Sequence, residues 1–460
     1  MTERLSASDM SSLLAERGPI HVNVGGTMIM EGRPPRFEEF LAHVDSRLGL
    51  VPRFRQRVSE AAVVAVSNPS WADDPRFDLR WHVCHAALPA PGSREQLREL
   101  VGRIMSQPLD LTRPLWQLYL IEGLERRRHA YLTKTHHALV DGVSAIDVGT
   151  IMLDPSPKGT ETPVPDQPWE PDQSSPAMLF ARDATERIRA PIRAARRSAL
   201  TALATPRETA TRLVRTAEGF AGLAAGGPSP PPSSLNVEIG RDRRVAWVQA
   251  ALRRLKNARA VEGATVNDVI LAVVAGALRR FLQGRGDELP EYLVALVPVS
   301  IRHPEEELEL GNRITTLFVR LPLRSADPLE RLAAVQAETA RLKESEQAHA
   351  ASLIIEATGW VPPTINRVLA DAISRPLTFN LVVSNVPGPQ QPFYLLGHRL
   401  LAVYPFVPLS PQRHALAVGV VSYDGGVFFG LIGDRDALAD IDDLSAALEE
   451  ALDEQTAAAG

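Results

Sequence analysis

The densest cluster of potentially reactive side chains in this 460-residue chain is Thr135-His136-His137-Ala138-Leu139-Val140-Asp141-Gly142. Imidazole exchanges protons near neutral pH, so two adjacent histidines followed by an aspartate suit acid–base chemistry. Residues 129–136 read as a strand and 143–153 as a helix, which puts the pair at a strand end. Neighbouring strand residues point to opposite faces, so one histidine faces a cleft while the other packs or hydrogen-bonds behind it. Asp141-Gly142 is a turn signal that brings the aspartate back towards the histidine backbone. Other chemistries lack their parts. A metal site needs more ligands, and neither HExxH nor a second cysteine is present. A serine hydrolase would show GxSxG, which is absent. The lone cysteine, Cys84, reads as core and excludes a disulfide framework. A purely structural turn is the competing reading of the histidine cluster.

Positioning such a turn requires regular elements on both sides of it. Strand patterns run over 21–31, 77–88, 116–122 and 129–136, and helical ones over 36–48 and 93–105. Ser93 suits the N-cap of the latter, with Gln96 three residues on. The second half repeats the mixture. Strands are expected near 244–252, 292–300, 311–322, 378–384, 398–407, 414–423 and 426–432, and helices near 265–281, 328–346, 350–373 and 437–456. Alternation without a sequence repeat predicts an α/β (α+β) protein of two lobes with mixed sheets, residues 1–153 and 237–460.

Between them lies a connector, 154–236. Its first part, 154–176, holds seven prolines and no apolar periodicity, and reads as an extended linker. Residues 177–224 carry nine arginines against four acids beside one apolar stripe. That face suits either packing along both lobes or contact with an anionic lipid surface. Lysine occurs only at 134, 158, 256 and 343, so 46 of the 50 basic residues are arginine. A net charge of −5 and 5% aromatics argue against a nucleic-acid-binding surface. The longest apolar run, Val269 to Leu278, is half of the about 20 residues a membrane span needs. The polar start lacks a signal peptide's apolar core, so the expected location is cytoplasmic, with at most peripheral contact with the inner membrane or lipid inclusions.

His136-His137-x-x-x-Asp141-Gly142 matches the HHxxxDG motif of the CoA-dependent acyltransferase superfamily, which includes chloramphenicol acetyltransferase and peptide-synthetase condensation domains. More narrowly, the chain resembles the bacterial wax ester synthase/diacylglycerol acyltransferase family along nearly its whole length. Segments supporting this occur in order: PIHVNV from Pro19, Pro114-Leu115-Trp116, Asn267-Asp268-Val269, VPVSIR ending at Arg302, SNVPGP from Ser384, and Pro408-Leu409-Ser410.

The resemblance implies two chloramphenicol-acetyltransferase-like lobes and transfer of a long-chain acyl group from acyl-CoA to diacylglycerol or a long-chain fatty alcohol. No cofactor or metal is implied, since acyl-CoA is itself a substrate. His137 would be the general base and His136 a supporting residue. Asp141 would be structural, with Arg302 as its salt-bridge partner, and Gly142 would allow a tight turn. Asn267 is a candidate donor to the oxyanion or, alternatively, a helix N-cap. Ser384 and Asn385, read as following a strand, would contact the intermediate or the pantetheine arm, or cap that strand. Pro114, Leu115 and Trp116 would line the acyl tunnel or anchor the core. Three other readings remain in play: a condensation-domain-like enzyme, an HxxxxD acyltransferase resting on His136 and Asp141, and a non-catalytic lipid-surface binding protein.

Overall fold

The computed structural model describes the chain except for residues 1–2, 6–8, 11, 14–15, 17, 19, 60–69, 141–150, 161–168, 173–229, 301–313, 345–377, 411–412 and 460. Asp141, Gly142 and Arg302 therefore lie outside the described residues, as do the arginine-rich stretch 177–224 and the helix expected at 350–373. In chain order the strands are β1 (Glu3–Arg4), β2 (Asn23–Glu31), β3 (Gln56–Val58), β4 (Ser70–Asp73), β5 (Val83–Ala87), β6 (Trp116–Leu124), β7 (Arg128–His136) and β8 (Arg243–Ala251). They continue with β9 (Tyr292–Ser300), β10 (Ile314–Pro322), β11 (Leu381–Pro387), β12 (Tyr394–Leu395), β13 (His398–Phe406), β14 (Leu416–Tyr423) and β15 (Gly426–Asp434). The longer helices are α1 (Phe37–Arg47), α2 (Arg94–Met105), α3 (Val266–Arg285), α4 (Pro328–Glu344) and α5 (Ile441–Ala458).

Two mixed sheets dominate, with strand orders β12-β13-β2-β7-β6-β5 and β10-β9-β11-β14-β15-β8; a small third sheet joins β1, β4 and β3. This is the expected two-lobed mixed α/β architecture. The second sheet reads as almost continuously apolar because both of its faces are covered. Side chains alternate along each strand, and the two sets enter different cores. Ala246, Val248, Val418, Val420, Phe429 and Leu431 pack with the apolar faces of α3 and α5. The intervening Val245, Trp247, Ala417, Val421, Phe428 and Ile432 join the core of the first lobe.

One hairpin changes lobes. Strands β12 and β13, expected with the second lobe, belong to the first sheet, where β13 pairs antiparallel with β2. β13 also lies close against the second sheet. A Cβ on Gly430 would meet the Pro405 carbonyl oxygen at 1.9 Å, so only glycine permits this approach. Trp247 and Tyr404 stack across the same joint with ring centroids 4.6 Å apart, and Arg94 of α2 donates to both the Trp247 carbonyl and the Tyr404 hydroxyl.

Local signals explain the element starts. Ser93 caps α2 in a capping box with Gln96, as its spacing predicts. Thr265 and Asp268 form the same device at α3. The stretch 77–88 is not one strand: Asp78 accepts from the Arg80 N–H at 3.0 Å and winds Leu79–His82 into a helical turn before β5. The start of the expected linker is docked rather than extended. Asp154 is buried, exchanges backbone hydrogen bonds with Tyr394 at 2.7 and 2.8 Å, and pairs with Arg47.

Candidate active site

β7 lies between β2 and β6 and is hydrogen-bonded to both. Its end is gripped the same way: the His136 N–H donates to the Leu115 carbonyl and the His137 N–H to the Val22 carbonyl, each at 2.9 Å. β7 stops at His136, and His137–Val140 begins a helical turn. The two histidines separate as alternation requires. His136 is fully buried, its Nδ1 accepting from the Ala138 N–H at 3.1 Å and its Nε2 lying 3.2 Å from Glu16 Oε2. His137 is only half-buried, with Nδ1 3.5 Å from Ser12 Oγ.

Behind this turn sit two charges. Glu16 also approaches His21, with Oε1 3.5 Å from Nδ1. Burial pushes the Glu16 carboxyl up, but the His136 and His21 rings beside its two oxygens outweigh it and hold the group down to about 2. Lys134, two residues before His136 on β7, is fully buried and donates to the Ile104 and Gln107 carbonyls at 2.8 and 2.5 Å, at the end of α2. Burial lowers its pKa to about 8, against the opposing pull of Glu16 and Cys84. Glu16 and Ser12 are not visible as site residues in the sequence, because nothing local ties them to a motif more than a hundred positions away. Lys134 leaves a faint trace as one of four lysines in an arginine-rich chain.

Pro114, Leu115 and Trp116 are buried. Trp116 Nε1 donates to the Phe54 carbonyl at 2.8 Å, and its ring lies 4.8 Å from Phe54 and 4.7 Å from His82. With the Leu115 carbonyl accepting from His136, the segment anchors the strand end that carries the histidines. Burial also pushes the Cys84 thiol up, which keeps it out of the nucleophilic thiolate form.

A second group forms in the other lobe. Asn267 is not the helix cap; Thr265 is, which leaves Asn267 in the first turn of α3. Ser384 and Asn385 do not follow a strand but lie within β11, opposite Gly419 and Val420. They therefore cap no strand end. Asn385 Nδ2 donates to Asn267 Oδ1 at 3.1 Å. With that oxygen engaged, the remaining polar side of Asn267 is its NH₂ donor.

Comparison with known proteins gives the family. Residues 5–270 match the wax ester synthase/diacylglycerol acyltransferase catalytic domain, and residues 310–455 match the WS/DGAT C-terminal domain. The chain belongs to the WS/DGAT family. It is 33% identical to a probable diacylglycerol O-acyltransferase of Mycobacterium tuberculosis, over 97% of this chain and 94% of that protein. Among solved structures, the WS/DGAT of Marinobacter aquaeolei VT8 superposes with a TM-score of 0.70 at 29% identity, covering 99% of this chain and all of that one. The starter condensation domain of rhizomide synthetase, bound to C8-CoA, reaches a TM-score of 0.59 over the whole of this chain and 94% of its own, but at 15% identity that shows the fold alone. This WS/DGAT chain is thus an acyltransferase-family enzyme, and acyl-CoA is the donor its family implies. Among its described residues no helix is long and apolar enough to cross a membrane.

Proposed function

We propose that this enzyme moves a long-chain acyl group from acyl-CoA to diacylglycerol, a long-chain fatty alcohol or both, forming triacylglycerol or wax ester with His137 as general base. One observation carries the assignment of the base. The His136 ring is fully buried, with Nδ1 accepting from the Ala138 N–H and Nε2 3.2 Å from the Glu16 carboxylate, whereas His137 is only half-buried. The HxxxxD reading, which rests on His136, is disfavoured by the same burial.

In this mechanism His137 takes the hydroxyl proton as the alcohol oxygen attacks the thioester carbonyl carbon. The carbonyl π electrons move onto oxygen, and the Asn267 NH₂, turned by Asn385, is suited to donate to it. Collapse of the intermediate breaks the C–S bond, and the departing thiolate recovers the proton from His137. No covalent acyl-enzyme is required, because the thioester is already activated. Asp141, with Arg302 as its partner, would brace the turn, and Gly142 would allow its tight closure. Ser384, on the opposite face of β11 from Asn385, would lie along the pantetheine path. Apolar substrates would reach the cleft from a membrane or lipid-inclusion surface on the cytoplasmic side.

General-base assistance contributes about 10²–10⁴-fold, so His137→Ala should lower kcat by that factor. The assay pairs palmitoyl-CoA with hexadecanol or dioleoylglycerol and follows free thiol and neutral lipid. Turnover with neither acceptor, or an H137A variant as active as the parent, would overturn this reading. Comparing the two acceptors under one acyl-CoA separates wax ester from triacylglycerol synthesis.

A further inference from the structure

Glu16 comes from the N-terminal segment, yet its carboxylate is enclosed behind the histidine turn, touching His136 through one oxygen and His21 through the other. The ring it faces has unequal nitrogens. His136 Nδ1 accepts from the Ala138 N–H, so it carries the lone pair and leaves Nε2 as the ring's N–H donor, with Glu16 Oε2 3.2 Å away as the nearest acidic oxygen. An ionised acceptor holds such a donor about twice as strongly as a neutral one. The consequence reaches the next residue. The His137 backbone is fixed before it by the Val22 carbonyl and after it by the His136 ring, which grips the Ala138 N–H.

We propose that Glu16 is a positioning residue for acyl transfer: as an ionised acceptor it locks the His136 ring, the ring locks the first turn of 137–140, and that turn aims His137, with His21 as the second anchor of the carboxylate. The inference rests on His137 being the base. Both carboxylate oxygens are shut off from solvent, so this role acts through His136. It remains ionised throughout any ordinary assay range, since its neighbours hold it at about 2.

The test compares Glu16→Ala and Glu16→Gln with the parent enzyme and with H137A, using palmitoyl-CoA and hexadecanol, together with thermal melts. Loss of the partner that orients a metal-bound histidine costs about 10–100-fold, and the same order is expected for this one. E16A should lose that much in kcat while KM for acyl-CoA stays within about threefold of the parent value. E16Q keeps an acceptor oxygen without the charge and should fall between E16A and the parent. A parental kcat in folded E16A overturns the proposal, as does a KM that rises as much as kcat falls. Should E16A fail to fold, E16Q decides: a parental kcat there overturns it. Failure of both to fold would assign Glu16 to the fold alone and also overturn it. An active H137A would instead remove the reading of His137, whatever the Glu16 variants do.

Discussion

Buried charge behind the histidine turn gives the molecule a pH dependence that can be read one residue at a time. Glu16 is held at about 2 in the folded chain, below its ordinary 4.5. The unfolded chain therefore binds this proton first, and the stabilisation is fully present above about pH 4.5 and lost as pH falls towards 2. Urea midpoints of the parent should drop through that window, and the difference from E16Q should shrink with them. Lys134 behaves in the opposite range. Its pKa falls from 10.5 to about 8 on folding, so between those values the unfolded chain holds a proton that the folded one has released. Its contribution to stability rises with pH across that window, and the parent-minus-Lys134→Met difference in urea midpoint should rise there too. The type of each site histidine was legible in sequence. Which of them is enclosed was legible only as an alternation, because the enclosing carboxylate arrives from far along the chain.

Elements announced themselves where one physical signal ran unopposed. The capping pair Ser93/Gln96, the apolar run of α3 and the apolar strands β14 and β15 all appear in the described structure. Where a local hydrogen bond competed with periodicity, the pattern misled: Asp78 turned the start of an expected strand into a helical turn. Proline content misled at Asp154, whose tertiary pairing with Tyr394 and Arg47 composition does not encode. That ion pair has side chains 7% and 2% exposed, so removing one partner strands the other charge. Asp154→Ala is expected to cost about 3–5 kcal/mol, measurable by urea denaturation.

At the scale of the molecule, the exchanged hairpin β12–β13 ties the lobes together. β13 is hydrogen-bonded to β2, β2 is hydrogen-bonded to β7, and β7 ends in His136. The close contact of Gly430 with Pro405 thus bears on the histidine turn through three adjacent strands. Gly430→Ala must push β13 off β15, an overpacking expected to cost about 1–3 kcal/mol and to lower kcat as well as the melting temperature. A core shared by both sheets also predicts a single cooperative thermal transition for the described lobes, testable by calorimetry.

Sequence alone determined the reaction class, the mixed α/β composition of both halves and most element boundaries, because motifs, caps and periodicities are short-range patterns. Only the tertiary structure decided that Glu16 lies against His136, that Asn385 hydrogen-bonds Asn267, and that a hairpin from the second half completes the first sheet. Each of these joins residues far apart in the chain. Such pairings depend on which strands meet and how closely backbones can approach, and that information is distributed over both cores rather than written at the positions themselves.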